Sequence, residues 1–305
     1  ERLTRGTAVA DRILDWPGDT TAGGDSVPLR LAGALHALKI EGLALEDVYP
    51  PKQVNDETLW SAIEAALNQH ETRILHWLDS PPQTNEVRRA AILLPALALV
   101  AQETDAPVEL LELGTSAGLN LRCDQFRLEL PGGGLGPEGS PVHLAPKWSG
   151  PAPPGPQPRI ISRKAVDLNP LLPNAPAGRL RLLAYLWPDQ DERIARTEAA
   201  IRIAQDIEAG IAAGDAADWT ETILSEPAPD RVRVLFHTVA WQYFPEETKA
   251  RCLTAMQRVK TPLVRISMEA DNGNGAAVTM TVWPGGKTRP LGRVSFHGLW
   301  VDWTG

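Results

Sequence analysis

The chain has 305 residues, which is enough for one or two domains with a sizeable buried core. It is 43% hydrophobic and 22% charged, as is typical of soluble globular proteins. Its formal net charge of −8 argues against a general nucleic-acid binder, because phosphate neutralisation needs a surplus of Lys and Arg. The longest uncharged apolar stretch, residues 90–101, contains Pro95 and is too short to span a bilayer. Cys123 and Cys252 are isolated and lack metal-ligand spacing, so we expect a cytoplasmic protein with neither a metal site nor a disulfide scaffold.

The first 105 residues show no convincing strand pattern. Apolar residues recur at helical spacing between Leu59 and Leu78. Ser26, followed by Pro28, marks a further helix start. After the break at "DSPPQTNE", residues 87–100 predict another, strongly apolar helix. We therefore predict an all-helical N-terminal domain over residues 1–105, which would act as a lid or substrate domain.

From residue 108 onward, strand patterns alternate with helix patterns. The predicted strands are 108–113, 126–130, 159–168, 210–213, 231–238 and 263–270, and the predicted helices are 180–187, 191–208 and 245–259. Residues 278–283 and 289–297 flank "PGGKT" and predict a hairpin, whereas the Gly/Pro-rich residues 131–158 predict a long surface loop. Alternating elements favour a parallel sheet with right-handed crossovers. We predict an α/β domain over residues 106–305, a doubly wound sheet that ends in an antiparallel hairpin, as in class I S-adenosylmethionine-dependent methyltransferases.

The turn after the first predicted strand has two interpretations. Within "VELLELGTSAGLNL", residues 108–121, the five residues centred on Ser116 fit G-x-S-x-G, the nucleophile elbow of serine hydrolases. Ser116, an aspartate such as Asp215 or Asp230, and His237 also follow the chain order of that enzyme class. However, an elbow serine follows the middle strand of its sheet, whereas the residues before this turn look helical. No His-Gly oxyanion loop precedes the turn either.

The same turn fits a strand-to-helix connection that binds a nucleotide cofactor. Glu112, Gly114 and Gly118 form the pattern E-x-G-x-x-x-G, in which glycines let the backbone approach a ligand. The amino terminus of a following helix would stabilise a carboxylate or phosphate. The methionine carboxylate of a sulfonium cofactor suits this turn, whereas pyrophosphate cofactors prefer a third glycine, and Ser116 and Asn120 crowd that pattern. A tight strand–helix turn without any ligand is the remaining explanation.

Several sequence blocks, taken in order, resemble an uncharacterised bacterial family, a domain of unknown function that is grouped with the methyltransferase-like Rossmann folds. The blocks are "QTNEVRRAAILLPAL", "LELGTSAGLNL", "VDLNPL", "LWPDQDERIARTEAAI", "VLFHTVAWQYFPEE" and "RISMEAD". The resemblance covers about residues 26–270. It implies a methyltransferase-like Rossmann fold preceded by the helical domain.

This resemblance implies methyltransferase roles for individual residues of the sequence. The first cofactor motif is matched by Glu112, Gly114 and Gly118, with Ser116 in place of the usual central glycine and Asn120 shortly after it. Asp167 matches the acidic residue that binds ribose hydroxyls, or else it caps the turn that follows it. Asp215 resembles the acidic residue near the adenine, or else it caps a helix.

Catalytic and substrate roles follow from the same resemblance. His237 and Thr238 end the fourth main strand, where methyltransferases place substrate and catalytic groups, although His237 could equally be a structural histidine. The block "QTNEVRR" offers Gln83, Asn85 and Arg89 to an anionic or amide substrate. An interdomain polar network is the alternative explanation for these three residues.

The sequence as a whole predicts a class I S-adenosylmethionine-dependent methyltransferase that acts on a small molecule. We expect His237 and at least one of Gln83, Asn85 or Arg89 to face a common pocket, walled by Trp241 and Trp187. A non-catalytic protein that binds an adenosyl or other nucleotide-like ligand is the second hypothesis, and a serine hydrolase that uses Ser116 is the third. S-adenosylmethionine is the only cofactor we expect.

Overall fold

The computed structural model describes residues 2–21, 23–153 and 155–305. The chain divides into two compact units. One unit runs to Thr84 and adds Leu171–Glu198, and the other comprises Asn85–Pro170 and Ala199–Gly305. This division differs from the predicted boundary at residue 105. The unit that contains the sheet begins earlier, and the helical unit takes in a later segment of the chain.

The helices of the described residues agree broadly with the periodicity of the sequence. In chain order the α-helices are α1 (Ala8–Leu14), α2 (Val27–Ile40), α3 (Asp56–Gln69), α4 (Glu71–Leu78), α5 (Ala90–Glu103), α6 (Pro176–Ala184), α7 (Asp191–Asp206), α8 (Ala216–Ser225) and α9 (Glu246–Arg258). Short 3-10 helices cover Val87–Arg89, Leu119–Gln125 and Trp241–Tyr243. Within the described residues, the helical unit contains no strand.

The helical unit has an apolar core of its own. Leu38 of α2 packs among Ile74 and Leu78 of α4, and all three side chains are fully buried. Trp77 and Tyr185 add a tilted aromatic contact with their ring centroids 5.9 Å apart. The helices of this unit are therefore stabilised mainly by burial of one apolar face each.

The strands form one large sheet and one small sheet. In chain order they are β1 (Val108–Leu113), β2 (Arg127–Leu130), β3 (Gly133–Leu135), β4 (His143–Leu144), β5 (Lys147–Ser149), β6 (Ile160–Asp167), β7 (Gly210–Ala213), β8 (Val232–Thr238), β9 (Leu263–Ala270), β10 (Ala276–Trp283), β11 (Lys287–Val294) and β12 (Trp300–Trp303). The large sheet has nine strands in the order β5-β12-β11-β10-β9-β8-β1-β6-β7, and the small one has the order β3-β2-β4.

The parallel half of the large sheet has a Rossmann-like strand order. β7, β6, β1, β8 and β9 lie side by side and are all parallel. Numbered by their order along the chain, these five strands stand 3-2-1-4-5, the order of doubly wound nucleotide-binding folds. β1 is therefore the predicted central parallel strand, and the order reverses between β1 and β8.

The other half of the sheet extends further than the sequence predicted. β10 and β11 form the expected antiparallel hairpin, but β12 and β5 continue the sheet beyond it. The prediction of an irregular loop over residues 131–158 was wrong, because β3, β4 and β5 lie within that stretch. Strands of two or three residues are too short to show an alternating pattern, and β5 pairs with a strand at the far end of the chain.

α5 belongs to the sheet unit rather than to the predicted helical domain. Its residues 90–100 are buried without interruption, and the helix contacts β9. A helix that is apolar on all sides is typical of a core helix, which explains its position. Among the described residues, no helix combines the length and the apolar character that crossing a membrane requires.

A buried ion cluster lies at the opposite end of β1 from the glycine turn. The carboxylate of Glu109 accepts a hydrogen bond from Arg233 Nε at 2.9 Å and lies 3.1 Å from Lys164 Nζ. Burial raises the pKa of Glu109, but the hydrogen bonds from these two cations outweigh burial and keep the pKa below its usual value. Glu109 is thus an ionised carboxylate in the core of the sheet, paired across three neighbouring strands.

Candidate functional site

The carboxyl ends of β1 and β8 meet where the strand order reverses. In open α/β sheets, ligands bind outside the carboxyl ends of the strands at this switch point. The turn after β1, the loop after β8 and the last residues of β6 and β9 surround this position in the sheet. Most of the residues that the sequence assigned to a cofactor or a substrate lie in these four segments.

The turn after β1 is shaped by positive backbone dihedrals. Gly114, Ser116 and Gly118 have φ values of +68°, +54° and +67°. A Cβ on Gly118 would lie 2.7 Å from Ile211 Cδ1, so a larger residue here would have to displace that methyl group and also adopt a positive φ. The serine adopts a left-handed conformation that costs a non-glycine residue energy, and such strain concentrates at functional sites.

The expected α-helix after this turn is absent from the structure. Leu119–Gln125 is a 3-10 helix with non-helical dihedrals at Arg122, and it leads into the small sheet. Asn120 and Arg122 are polar residues that lie inside the protein, and the Arg122 guanidinium donates to the carbonyl oxygens of Gly118 and Ile207. The element that follows the turn is thus a distorted 3-10 helix in place of the expected α-helix.

Glu112 is a buried carboxylic acid at the end of β1. It accepts a hydrogen bond from the Thr115 hydroxyl. Burial raises its pKa to about 8, against the opposing influence of that hydrogen bond and of the Arg122 charge. Glu112 is therefore protonated in the folded protein at neutral pH.

Asn120 connects the turn to the block "QTNEVRR". Its Nδ2 donates to the Glu86 carbonyl at 3.2 Å, which fixes the orientation of the amide. Asn85 completes the link, because its Oδ1 accepts from the Leu119 amide at 2.8 Å. The Asn120 Oδ1 atom is buried and has no hydrogen-bond partner among the described residues.

The two candidate acidic residues bind backbone amides. Asp167 Oδ2 accepts from the Ser116 amide at 2.8 Å, and its Oδ1 accepts from the Asn169 amide at 2.9 Å. Asp215 is the N-cap of α8, and its Oδ1 accepts from the amides of Ala217 and Asp218. Both carboxylates thus fill the capping role that the sequence allowed as an alternative. Each carboxylate oxygen can accept more than one hydrogen bond, so these contacts do not use up their capacity.

His237 lies in a buried chain of three polar side chains. Arg265 Nε donates to His237 Nε2 at 3.0 Å, so the proton of the neutral ring is on Nδ1, which donates to Glu269 Oε1 at 2.6 Å. Burial lowers the pKa of His237, and the Arg265 charge adds to this effect. The ring also stacks on Trp241 with centroids 4.9 Å apart. Both ring nitrogens are therefore occupied, and His237 has no nitrogen available to a substrate or to Ser116.

Glu269 organises the loop after β8. Its Oε1 accepts from the amides of Ala240 and Trp241, both at 3.1 Å, in addition to His237. Burial raises the pKa of Glu269, but these hydrogen bonds and the histidine outweigh burial and lower the pKa overall. Its Oε2 is buried and lacks a hydrogen-bond partner among the described residues.

Sequence reasoning missed Glu269 and Arg265. Both were inside the block "RISMEAD", which was used only for the resemblance. A signal was present, because Arg265, Ser267 and Glu269 alternate with the apolar residues of β9. Alternation of this kind places the polar side chains on one face of a strand.

Arg89 places a partly buried positive charge at the same edge. Its Nη1 donates to the Thr238 carbonyl at 2.7 Å and its Nε to the Phe296 carbonyl at 3.2 Å. Burial lowers the pKa of Arg89, and the nearby carboxylate of Glu86 opposes that effect. Val239, directly after β8, has a φ of +52°, which is a strained value for a β-branched residue.

The residues proposed for the common pocket are divided between the two units. In the sheet unit, Asn85 and Arg89 bind backbone groups, and His237 binds Glu269 and Arg265. Gln83 and the half-exposed Trp187 belong to the helical unit. The contacts of Asn85 and Arg89 lie within the sheet unit, so the interdomain polar network remains an untested alternative.

The comparisons with known proteins identify a family. The family described as "Uncharacterized protein conserved in bacteria (DUF2332)" matches residues 1–303. The chain belongs to this family. The expected membership of an uncharacterised bacterial family is thereby confirmed. A search of curated proteins found no match.

Proposed function

We propose that this protein binds S-adenosylmethionine at the carboxyl edge of its sheet and transfers the methyl group to a small molecule. The 3-2-1-4-5 strand order, with a glycine turn after its first strand and Asp167 at the end of its second, supports a nucleoside-containing ligand at the switch point. The resemblance to methyltransferase-like Rossmann folds supports the same ligand.

The observation that carries the proposal is a set of unpartnered polar atoms. Ser116 Oγ, Asn120 Oδ1 and Glu269 Oε2 are buried and have no hydrogen-bond partner among the described residues. A buried polar atom without a partner costs about 1–3 kcal/mol, so such atoms need an explanation such as ligand binding. Ser116 and Asn120 follow the end of β1, and Glu269 lies in the last residues of β9, so the three atoms come from the two strands that flank β8.

The chemistry of these groups fits the charges of the cofactor. Asn120 Oδ1 is an acceptor suited to the ammonium group of the methionine moiety. Arg89 contributes a partly buried positive charge for the carboxylate, and Asp167 retains lone pairs for ribose hydroxyls. The exposed side chains of Tyr243 and Leu168, after β8 and β6, offer apolar surface to the adenine. When bound, the cofactor supplies an electrophilic methyl group on its sulfonium.

The residues of the chain would act mainly by positioning. Methyl transfer is an in-line displacement, so a base is needed only if the nucleophile arrives protonated. His237 is bonded through both ring nitrogens, which makes it a positioning residue for Glu269. The ionised Glu269 would face a cationic or protonated group through its Oε2 atom. Because the unpartnered atoms are shielded from solvent, ligand entry requires a local movement of the segments that cover them.

Calorimetric titration with S-adenosylmethionine and S-adenosylhomocysteine tests the proposal. We expect one site in the wild-type protein and a dissociation constant that is roughly tenfold or more higher in Asn120→Ala, since a hydrogen bond to a charged group is worth about 1.5–3 kcal/mol. Asn55→Ala is the matched control. Asn55 caps α3 through its Oδ1, so its loss should cost about 1 kcal/mol of stability and leave ligand affinity unchanged.

The two variants separate affinity from folding. Failure of the wild-type protein to bind either ligand at millimolar concentration would contradict the proposal. Equal weakening by Asn120→Ala and Asn55→Ala would show that the effect is a loss of stability and not of a ligand contact. Binding without any methyl transfer to small nucleophiles would favour the non-catalytic adenosyl-binding hypothesis.

A further inference from the structure

A cavity of about 550 Å³ lies on one face of the antiparallel half of the sheet. Its described lining comes from α9, β9, β10, β11 and the turn between the last two strands. The lining includes Arg265, and none of the described lining residues is acidic. The cavity is thus a concave site whose only lining charge, among the described residues, is positive.

A row of donors crosses three neighbouring strands at this cavity. Thr281 of β10 pairs in register with Arg265 of β9 on one side and with Thr288 of β11 on the other. Side chains that pair directly across antiparallel strands point to the same face with their Cβ atoms about 5 Å apart. The hydroxyls of Thr281 and Thr288 are 2.8 Å apart. A guanidinium and two hydroxyl groups therefore stand side by side at the cavity.

The guanidinium is held in place by groups that do not neutralise it. Its Nε donates to His237, which is neutral, and its Cζ lies 4.3 Å from the centroid of the Trp241 ring. The carboxylate of Glu269 interacts with Arg265 electrostatically, but it is hydrogen-bonded to the other nitrogen of the histidine ring. These contacts use the Nε atom and one face of the guanidinium, so the two Nη groups are the donors that remain for a ligand.

We propose that this cavity binds a small oxyanion, such as a phosphate or sulfate group, through Arg265, Thr281 and Thr288. A planar guanidinium with two adjacent donors matches the oxygen spacing of such groups. One threonine hydroxyl donates to the other, so the pair offers one further proton to a ligand, and the Gln257 amide on α9 supplies another donor. This site lies away from the glycine turn and does not depend on the proposed methyltransferase activity.

Inorganic phosphate at constant ionic strength tests the proposal. We expect saturable binding in a calorimetric titration. In a parallel NMR titration the indole N–H resonance of Trp283 should shift, because Trp283 lines the cavity. Sulfate should compete with phosphate. Equal shifts with phosphate and with chloride would show a response to any anion, and this would overturn the proposal.

Thr288→Val is the decisive variant, because Thr288 is exposed at the cavity and its replacement leaves the buried chain of His237 intact. It should weaken phosphate binding by roughly tenfold, as expected for the loss of one hydrogen bond to a charged group. Arg265→Gln should abolish binding, although it also removes the bond to His237. Arg258→Gln alters a cation that lines a different cavity and should change nothing. Unchanged phosphate affinity in Thr288→Val would refute the assignment, whether or not Arg265→Gln folds.

Discussion

Replacement of Glu112 by Gln should remove a pH-dependent penalty from the folded state. The pKa of Glu112 is raised from 4.5 to about 8, chiefly by burial. Between these two values the folded protein retains a proton that the unfolded chain releases, so the free energy of unfolding falls as the pH rises. One pH unit in this window is worth about 1.4 kcal/mol, which gives an upper limit of roughly 5 kcal/mol for the whole window.

Urea unfolding followed by tryptophan fluorescence measures this effect. The glutamine retains an oxygen that can accept the Thr115 hydroxyl, so Glu112→Gln should be close to the wild type in stability at about pH 5 and clearly more stable at about pH 8. Glu138→Gln, the same change at an exposed loop position, should show no such divergence. Parallel pH profiles for the wild type and Glu112→Gln would refute the claim that this carboxyl is protonated in the folded state.

Three further predictions concern β1 and its turn. Glu109→Gln should destabilise the protein by about 3–5 kcal/mol in urea unfolding, because it leaves the buried Arg233 without its carboxylate. The wild type should lose stability as the pH falls below 4.5, because Glu109 takes up a proton, and the variant should not show this loss. Gly118→Ala should cost more than Gly132→Ala by about 1–3 kcal/mol, since both positions have positive φ but only Gly118 is crowded. A fluorophosphonate probe should not label Ser116, because both His237 nitrogens are engaged elsewhere; covalent labelling would restore the serine hydrolase hypothesis.

The parts of the fold that could be predicted are those with local signals. β1 and β9 could be predicted from their local patterns, an apolar run before the glycine turn in β1 and alternating apolar and polar residues in β9, and the structure places both strands as expected. β5 and β12 could not be found in this way, because each is short and gains its stability from pairing with a segment distant in sequence. α5 had a clear helical pattern, but its allocation to the sheet unit depended on tertiary packing.

The candidate site could likewise be predicted only in part. The glycine turn and its neighbouring aspartate were visible in the sequence, and the structure joins them through the Ser116 amide and Asp167. The environment of His237 was not visible, because its partners lie on the next strand and become neighbours only through parallel pairing with β9. The sequence could not reveal that these partners occupy both ring nitrogens, which changes His237 from a candidate base into a positioning residue.

The central claim is that the carboxyl edge of the sheet binds an adenosyl cofactor. The most direct measurement is the free energy of unfolding in the presence of S-adenosylhomocysteine, with NAD and FAD as comparison ligands. At 100 times its dissociation constant, S-adenosylhomocysteine should add about 2.7 kcal/mol of stability, while NAD and FAD should add little at the same concentration. No stabilisation by S-adenosylhomocysteine at millimolar concentration, or equal stabilisation by NAD or FAD, would contradict the account.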